Sequence, residues 1–370
     1  MNEYLGAALK LHEYTVARHW NGNCIVGPDP IGKIHWRVTR FVRSYLPWLP
    51  GDDRYVYLQG QGYWIRSNLA LFDLAREPRY LEIAARCASH VVKIQPANGA
   101  WLHPPIWGRR GFISTVEGVW GSLGLTAAYR KTGCQEYLDS ALKWYEFQIN
   151  SIGFQQVEDG LAANYYAHSS HTVPNVTTML LLLMSELYGL TQDEQYLECY
   201  ADKMIRFLER SQLDSGELPY VFPTRPHFMC YQYNAFEFLD LAYYYDLIPD
   251  KRVWQIMSKL ANYLAGGLAE RGSCAYNCFK ENPEVNYWTV ALATALSKAH
   301  QLGLGEYEAA SLKAYRRVLD RQRSDGGFGF SDKNYRVLRD TRSYPRYLAM
   351  ILSHLACKAM MSVKNSHSRK

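Results

Sequence analysis

Apolar residues recur along this chain at helical spacing in two alternating registers. In one register, over 2–19, 79–94, 135–150, 193–212, 250–270 and 305–322, an apolar face stands opposite a charged one, as with Lys203, Arg206, Glu209 and Arg210. In the other, over 58–76, 113–131, 174–190, 231–247, 285–302 and 341–360, apolar residues run almost all round, as in Met179-Leu180-Leu181-Leu182-Leu183-Met184. A helix with one apolar stripe packs at a surface, whereas one that is apolar on every side is buried. The pattern predicts an all-α domain in which six hairpins close into a ring, amphipathic helices outside and apolar helices inside.

The links are unequal. Arg76-Glu77-Pro78, Thr132-Gly133 and Pro249-Asp250 lead from an inner helix to the next outer one in a few residues, while the links from outer to inner helices are long and rich in Gly, Pro and aromatic residues. All the long links, and the first turns of all inner helices, are expected at one mouth, and loops on a rigid scaffold commonly carry function. The link from Asn21 to Leu58 has the Gly, Pro and Trp content of a lid.

Composition narrows the picture without choosing a chemistry. The 370 residues are 48% hydrophobic and 21% charged, enough for one large core, so a single domain is expected over 1–361 with a basic, disordered tail at 362–370. The formal charge of +6 comes with no interleaved basic and aromatic run, so nucleic acid is not an expected partner. No apolar run has the length of a membrane span and Met1 to Leu11 lacks a secretion pattern, so the expectation is a cytoplasmic protein. The eight cysteines lie scattered, which suits reduced thiols. His168 with His171, and Cys274 with Cys278, have chelating spacings but no evident partner pair, so neither metal nor cofactor is expected, and Cys274 to Cys278 reads as a loop with two buried thiols.

Three segments repeat one pattern, Gln, three residues, Gly, one residue, then a large apolar residue: Gln95 to Trp101, Gln212 to Leu218 and Gln322 to Phe328, with a looser copy at Gln148 and Gly153-Phe154. This element resembles the QW motif of the squalene cyclase group, in which the Gln caps helix ends and the aromatic packs over them. With the six hairpins, the chain resembles the (α/α)6 toroids: six-hairpin glycosidases, polysaccharide lyases, glucuronyl C5-epimerases and the terpenoid cyclases. Residues 155–247, with Tyr165-Tyr166, His171, Asn175, a Leu-rich helix and Gln212-Leu213-Asp214-Ser215-Gly216, are similar to toroid proteins encoded among polysaccharide-biosynthesis enzymes. That resemblance implies a glycan as ligand.

If the inner helices start at one mouth, their first turns and preceding loops share a cavity. Candidate binding residues there are Gln61, Trp64, Trp120, Asn175, Tyr231, Gln232, Asn234, Asn286, Trp288, Arg342, Tyr344 and Arg346, and candidate catalytic ones are Glu117, Tyr165, His168, His171 and Asp340. Amides and Arg give directional hydrogen bonds, and aromatic faces stack on sugar rings, so a small sugar or oligosaccharide is the expected partner. The bland reading makes each polar helix start a cap or loop anchor. Glycoside hydrolysis asks for two facing carboxyl groups; Glu117, Asp159 and Asp340 are the best placed, but no pair stands out. Proton transfer on a uronate fits better, with Tyr165, Tyr166, His168 or His171 moving the proton and Asn175, Gln232, Arg342 or Arg346 on the acid group. The expectation is a glycan- or uronate-processing enzyme of hydrolase, lyase or epimerase type. A terpenoid-cyclase-like enzyme, for which no Asp-x-Asp-Asp is present, and a non-catalytic carbohydrate-binding protein are the alternatives.

Overall fold

The computed structural model describes residues 2–29, 42, 45, 46, 48, 49, 54–104, 111–169, 171–335, 338–340 and 342–368. The apolar helices are α2 (Leu58–Ala75), α4 (Thr115–Thr132), α6 (Pro174–Thr191), α9 (Cys230–Leu247), α11 (Asn286–Gln301) and α13 (Pro345–Ser368). Each packs against the next, and α13 returns to α2, so the inner ring closes. The amphipathic helices α1 (Glu3–His19), α3 (Pro78–Lys93), α5 (Gln135–Phe147), α8 (Ala201–Ser211), α10 (Lys251–Ala265) and α12 (Glu308–Leu319) form the outer layer. Burial follows the pattern: in α6 every residue from Pro174 to Leu187 is buried, whereas α10 buries one stripe of Val253, Ile256, Met257, Leu260, Ala261 and Leu264.

Local chemistry sets the ends. Pro occupies the first turn of α3, α6 and α13, where the missing N–H costs no hydrogen bond. Ser114 caps α4 through its hydroxyl and Asp250 caps α10, while Gly133 ends α4 in the left-handed region at φ 70°.

The repeated Gln-Gly element stitches the outer layer. Gln95 donates its amide to Gly99 O (2.9 Å) and to Ser140 O of α5 (2.9 Å). Gln212 does the same to Gly216 O (2.9 Å) and Ile256 O of α10 (3.0 Å), and Gln322 to Gly326 O (2.9 Å) and Ala7 O of α1 (2.9 Å). The three glycines have φ of +84°, +95° and +87°, and a Cβ on them would meet the carbonyl oxygens of Lys143, Lys259 and Lys10. The last residues, Trp101, Leu218 and Phe328, are all buried. Gln148 differs from the other three: it opens a π-helical turn, Gln148–Ile152, and its side chain accepts from Thr115.

Some elements escape helical periodicity. A short helix α7 (Gln195–Glu198) precedes α8, so the stretch expected to run unbroken over 193–212 breaks at Cys199 and Tyr200. The link before α6 holds a hairpin of β1 (Phe154–Val157) and β2 (Gly160–Ala163), paired Phe154 with Ala163. Around the last two inner helices β3 (Glu284–Val285), β4 (Ser331–Tyr335) and β5 (Leu338–Asp340) form an antiparallel sheet. The last helix continues to Ser368 through most of the segment expected as a disordered tail; no Gly or Pro after Pro345 interrupts it. Among the described residues no helix is long and apolar enough to cross a membrane.

Candidate active site

The first turns of the six inner helices open into one cavity of about 700 Å³. Each helix sends in its second or third residue: Gln59, Glu117, Asn175, Gln232, Trp288 and Arg346. One turn deeper, four positions later, stand Tyr63, Met179, Phe236 and Met350. The arrangement is a polar rim over a mostly apolar floor, built by helical spacing alone. Links before the helices add His103, Tyr165, Tyr166, Tyr220, Tyr276 and Phe330.

Arg346 anchors the charge of the site. It is 8% exposed and held by Asp29, which the link after α1 brings in, with Nε to Oδ2 at 2.9 Å and Nη2 to Oδ1 at 3.0 Å. Its guanidinium lies 4.3 Å from the Tyr57 ring centroid and donates to Tyr347 Oη at 2.6 Å. Tyr347 stacks on Tyr287 with centroids 4.2 Å apart, and Gln232 donates to Tyr287 Oη at 3.1 Å, so a continuous network crosses the rim from α13 to α9.

Glu117 is 2% exposed, and burial raises its pKa against the opposing pull of Arg346. Its Oε2 accepts the Gln59 backbone N–H at 3.0 Å, an orphan donor of the first turn of α2, whose N-cap Tyr57 offers no side-chain cap. That hydrogen bond opposes the raising effect of burial, so Glu117 both closes the first turn of α2 and sits in the cavity as a buried carboxyl. His103 is stacked on Phe112 at 4.2 Å, and burial lowers its pKa to about 4. Its Nδ1 lies 2.7 Å from the Pro104 carbonyl, which can only accept, so Nδ1 carries the proton and Nε2 is the basic nitrogen of a neutral ring. Burial pushes the Tyr165 phenol well up and the Tyr287 phenol to about 12.

No protein-family model and no curated protein matches this sequence. Solved structures do match by shape. The chain is similar to a cellobiose 2-epimerase from Bacillus thermoamylovorans (TM-score 0.73, 16% identity, covering 96% of this chain and 99% of that one). It is similar to a polysaccharide lyase (TM-score 0.68, 13% identity, 98% of each chain). It is also similar to a family 76 glycoside hydrolase from Bacteroides thetaiotaomicron (TM-score 0.70, 12% identity, covering 98% of this chain and 78% of that one). The chain is an (α/α)6 toroid.

Of the residues proposed from the toroid's sequence, the cavity gathers Glu117, Tyr165, Tyr166, Asn175, Gln232, Trp288 and Arg346. Others fold away from it. His168 and His171 are exposed and outside the lining, and His168 holds a left-handed φ of 61°. Gln61 clamps the link after α1, accepting from Ile25 N (3.0 Å) and donating to Ile25 O (2.8 Å). Asn234 grips Leu218 N and O, and Asn286 donates to Gly329 O. Trp64 is core, stacked on His12 at 4.9 Å, and Trp120 lies under the floor against Tyr63 at 3.9 Å. Tyr231 stacks on Tyr263, while Arg342 donates to Tyr344, which is buried. Asp159 is half exposed and paired with Arg210. Asp340 closes β5, with its side chain outside the described set, and much of the lid segment 21–58 also lies outside the described residues.

Sequence reasoning left three features unassigned. His103 and Asp29 sit in irregular links without periodicity. Below the floor, α9 buries Glu237 and Asp240, Asp240 taking a hydrogen bond from Thr178 at 3.1 Å. Burial raises Asp240 to about 8. The signal was present as two acids in the otherwise apolar turn Phe236-Glu237-Phe238-Leu239-Asp240.

Proposed function

We propose that this toroid is a carbohydrate-active enzyme that binds a sugar or oligosaccharide at the inner-helix mouth and moves a proton at a sugar carbon, as an epimerase or lyase does. The lining carries this reading: amides, phenols, an indole, a neutral imidazole with a basic Nε2, and Glu117 as the one carboxylate among the described residues. Two-carboxyl hydrolysis wants a facing pair. Proton abstraction beside a carbonyl or carboxylate wants a base, a proton donor, and hydrogen bonds for the developing enolate oxygen.

In this reading His103 Nε2 is the base, in place of the exposed His168 and His171. The Tyr165 phenol or the Glu117 carboxyl returns the proton, since burial favours the protonated form of both. Asn175, Gln232 and Arg346 offer donors to the sugar's oxygen or acid group, and Trp288 and Tyr63 offer flat faces to its C–H surface. The shared fold of a cellobiose 2-epimerase and a polysaccharide lyase supports a saccharide as ligand. A prenyl chain would meet polar rim residues on five of the six inner helices, which argues against the terpenoid alternative.

The test is incubation in D2O with reducing disaccharides and uronate-containing oligosaccharides, following carbon-bound deuterium by mass spectrometry and unsaturated products by absorbance. Deuterium entering at a sugar carbon, reduced ~100-fold or more in His103→Ala, is the expected result. New reducing ends without deuterium would make the protein a hydrolase, and saccharide binding without any turnover would make it a binding protein.

A further inference from the structure

Beside the cavity, four potential metal ligands meet where two mouth links cross. Glu217, within the second Gln-Gly element, and His227 lie on the link before α9, Cys230 is the first residue of α9, and Cys278 comes from the link between α10 and α11. His227 Nδ1 is 2.8 Å from Glu217 Oε1. Cys278 Sγ is 3.6 Å from His227 Nδ1, 3.8 Å from Glu217 Oε2 and 2.8 Å from Cys230 Sγ. Both cysteines are free thiols, and Cys278 is therefore partnered by Cys230 rather than by its sequence neighbour Cys274. Ligands held ~2.0–2.3 Å from a tetrahedral zinc stand about 3.3–3.8 Å from one another. The contacts of Cys278 with His227 and Glu217 already have that spacing, the two shorter ones need open by no more than about an ångström, and Cys230, which meets the cluster through Cys278, swings toward Glu217 and His227 as it does so.

We infer that Glu217, His227, Cys230 and Cys278 form a binding site for a thiophilic divalent cation, zinc by preference. The ligand set decides the class of ion: two thiols with an imidazole suit zinc, whereas magnesium and calcium want oxygen. Burial supports it. Glu217 is 0% exposed, and its one ion-pair partner among the described residues is His227. A carboxylate so placed, facing thiols, costs stability that a cation would return. Backbone strain supports it independently: His227 and Met229 hold φ of +60° and +47°, left-handed values in residues with side chains, and this short stretch delivers His227 and Cys230 to one point. Outer contacts complete the arrangement. The Tyr263 hydroxyl lies 2.9 Å from Cys278 Sγ, and the His227 backbone N–H donates to Glu217 Oε1 at 3.1 Å. Glu217, His227 and Cys278 hold their ligand atoms within 4.8 Å of one another and Cys230 lies against Cys278, so with Cys230 as the fourth ligand no position is left open and the ion is structural. It ties the link bearing Tyr220 and Met229 to the link bearing Tyr276 and Pro283, all of which line the cavity.

The experiment uses the full chain, purified under reducing conditions, loaded with excess Zn2+ and desalted before metal analysis, with Co2+ loaded in parallel as an optical probe. About one zinc per chain is expected, with a thiolate-to-cobalt charge-transfer band and a melting temperature that rises on loading. Retention should drop at least ~10-fold in Cys230→Ser/Cys278→Ser and in His227→Ala, and the cobalt band should disappear from the double variant. The wild-type cobalt spectrum decides the question even if a variant fails to fold. Retention below about a tenth of an equivalent, zinc held equally by the variants, or a Cys230–Cys278 disulfide in peptide maps of the reduced preparation would each overturn the inference.

Discussion

Arg346 grips Asp29 through two contacts, Nε to Oδ2 at 2.9 Å and Nη2 to Oδ1 at 3.0 Å, and so joins the first turn of the last inner helix to the link that leaves the first outer one. Both side chains are nearly fully buried. Removing one partner strands a buried charge, so Asp29→Ala should lower stability by ~3–5 kcal/mol in urea denaturation. Asp29→Leu with Arg346→Met, which buries neither charge, should recover most of that loss. An additive double variant would show that the pair does not act as a unit.

Stability should fall on mild acidification. Burial lowers His19 and His103 to about 4 and His354 to about 3, against an ordinary 6.5. Each then binds its proton less tightly folded than unfolded. The stability they contribute is complete above pH ~6.5 and drains away as pH falls toward 4, at up to ~1.4 kcal/mol per pH unit per histidine. Urea midpoints taken between pH 7.5 and 4.5 check this, and His354→Leu should flatten the slope by about one proton's worth.

Asp240 has the opposite sign. Its folded-state pKa is raised from 3.8 to about 8, so the folded protein keeps a proton that the unfolded chain has lost. The penalty grows from pH ~4 to 8 and then levels. Asp240→Asn, which keeps the shape and can still accept from Thr178, should be nearly neutral at pH 4.5 and stabilising by on the order of 5 kcal/mol at pH 8. A variant equally affected at both pH values would show that Asp240 is ionised in the fold.

Glu117→Gln separates anchoring from chemistry. The amide oxygen can still accept the Gln59 N–H, so the melting point should move by less than the equivalent of ~1 kcal/mol. If Glu117 returns the proton in turnover, deuterium incorporation should nonetheless drop by ~100-fold.

The outer stitches should matter in proportion to the backbone they hold. Gln322→Ala frees the carbonyls of Gly326 and Ala7 at the joint that closes the outer ring, and should cost ~1–3 kcal/mol. Gly326→Ala should cost at least as much, since its φ of +87° and the Lys10 carbonyl both refuse a Cβ. Thermal unfolding of the two variants tests the pair.

Much of this was legible in the sequence. Five of the six inner helices, expected at 58–76, 113–131, 174–190, 231–247 and 285–302, start within two residues of those bounds, because burial on all sides writes itself into the sequence as an unbroken apolar run; the sixth, expected at 341–360, starts at Pro345, after β5. The Gln-Gly element marked the joints of the outer layer because a positive φ demands glycine. Site residues were legible only by place. Knowing that Gln61 and Gln232 begin inner helices does not say which one faces inward: a rotation of one residue turns Gln61 onto Ile25 and Gln232 onto Tyr287.

The sequence by itself determined the number of hairpins, their inside and outside faces, and the mouth at which their first turns gather, since these follow from local periodicity and link length. The tertiary structure alone decided that Asp29 meets Arg346 across 317 residues, that His103 faces the cavity while His168 and His171 do not, and that Cys278 finds Cys230 instead of Cys274. Those pairings lie in irregular links, whose paths are set by packing against the closed ring and leave no period in the chain.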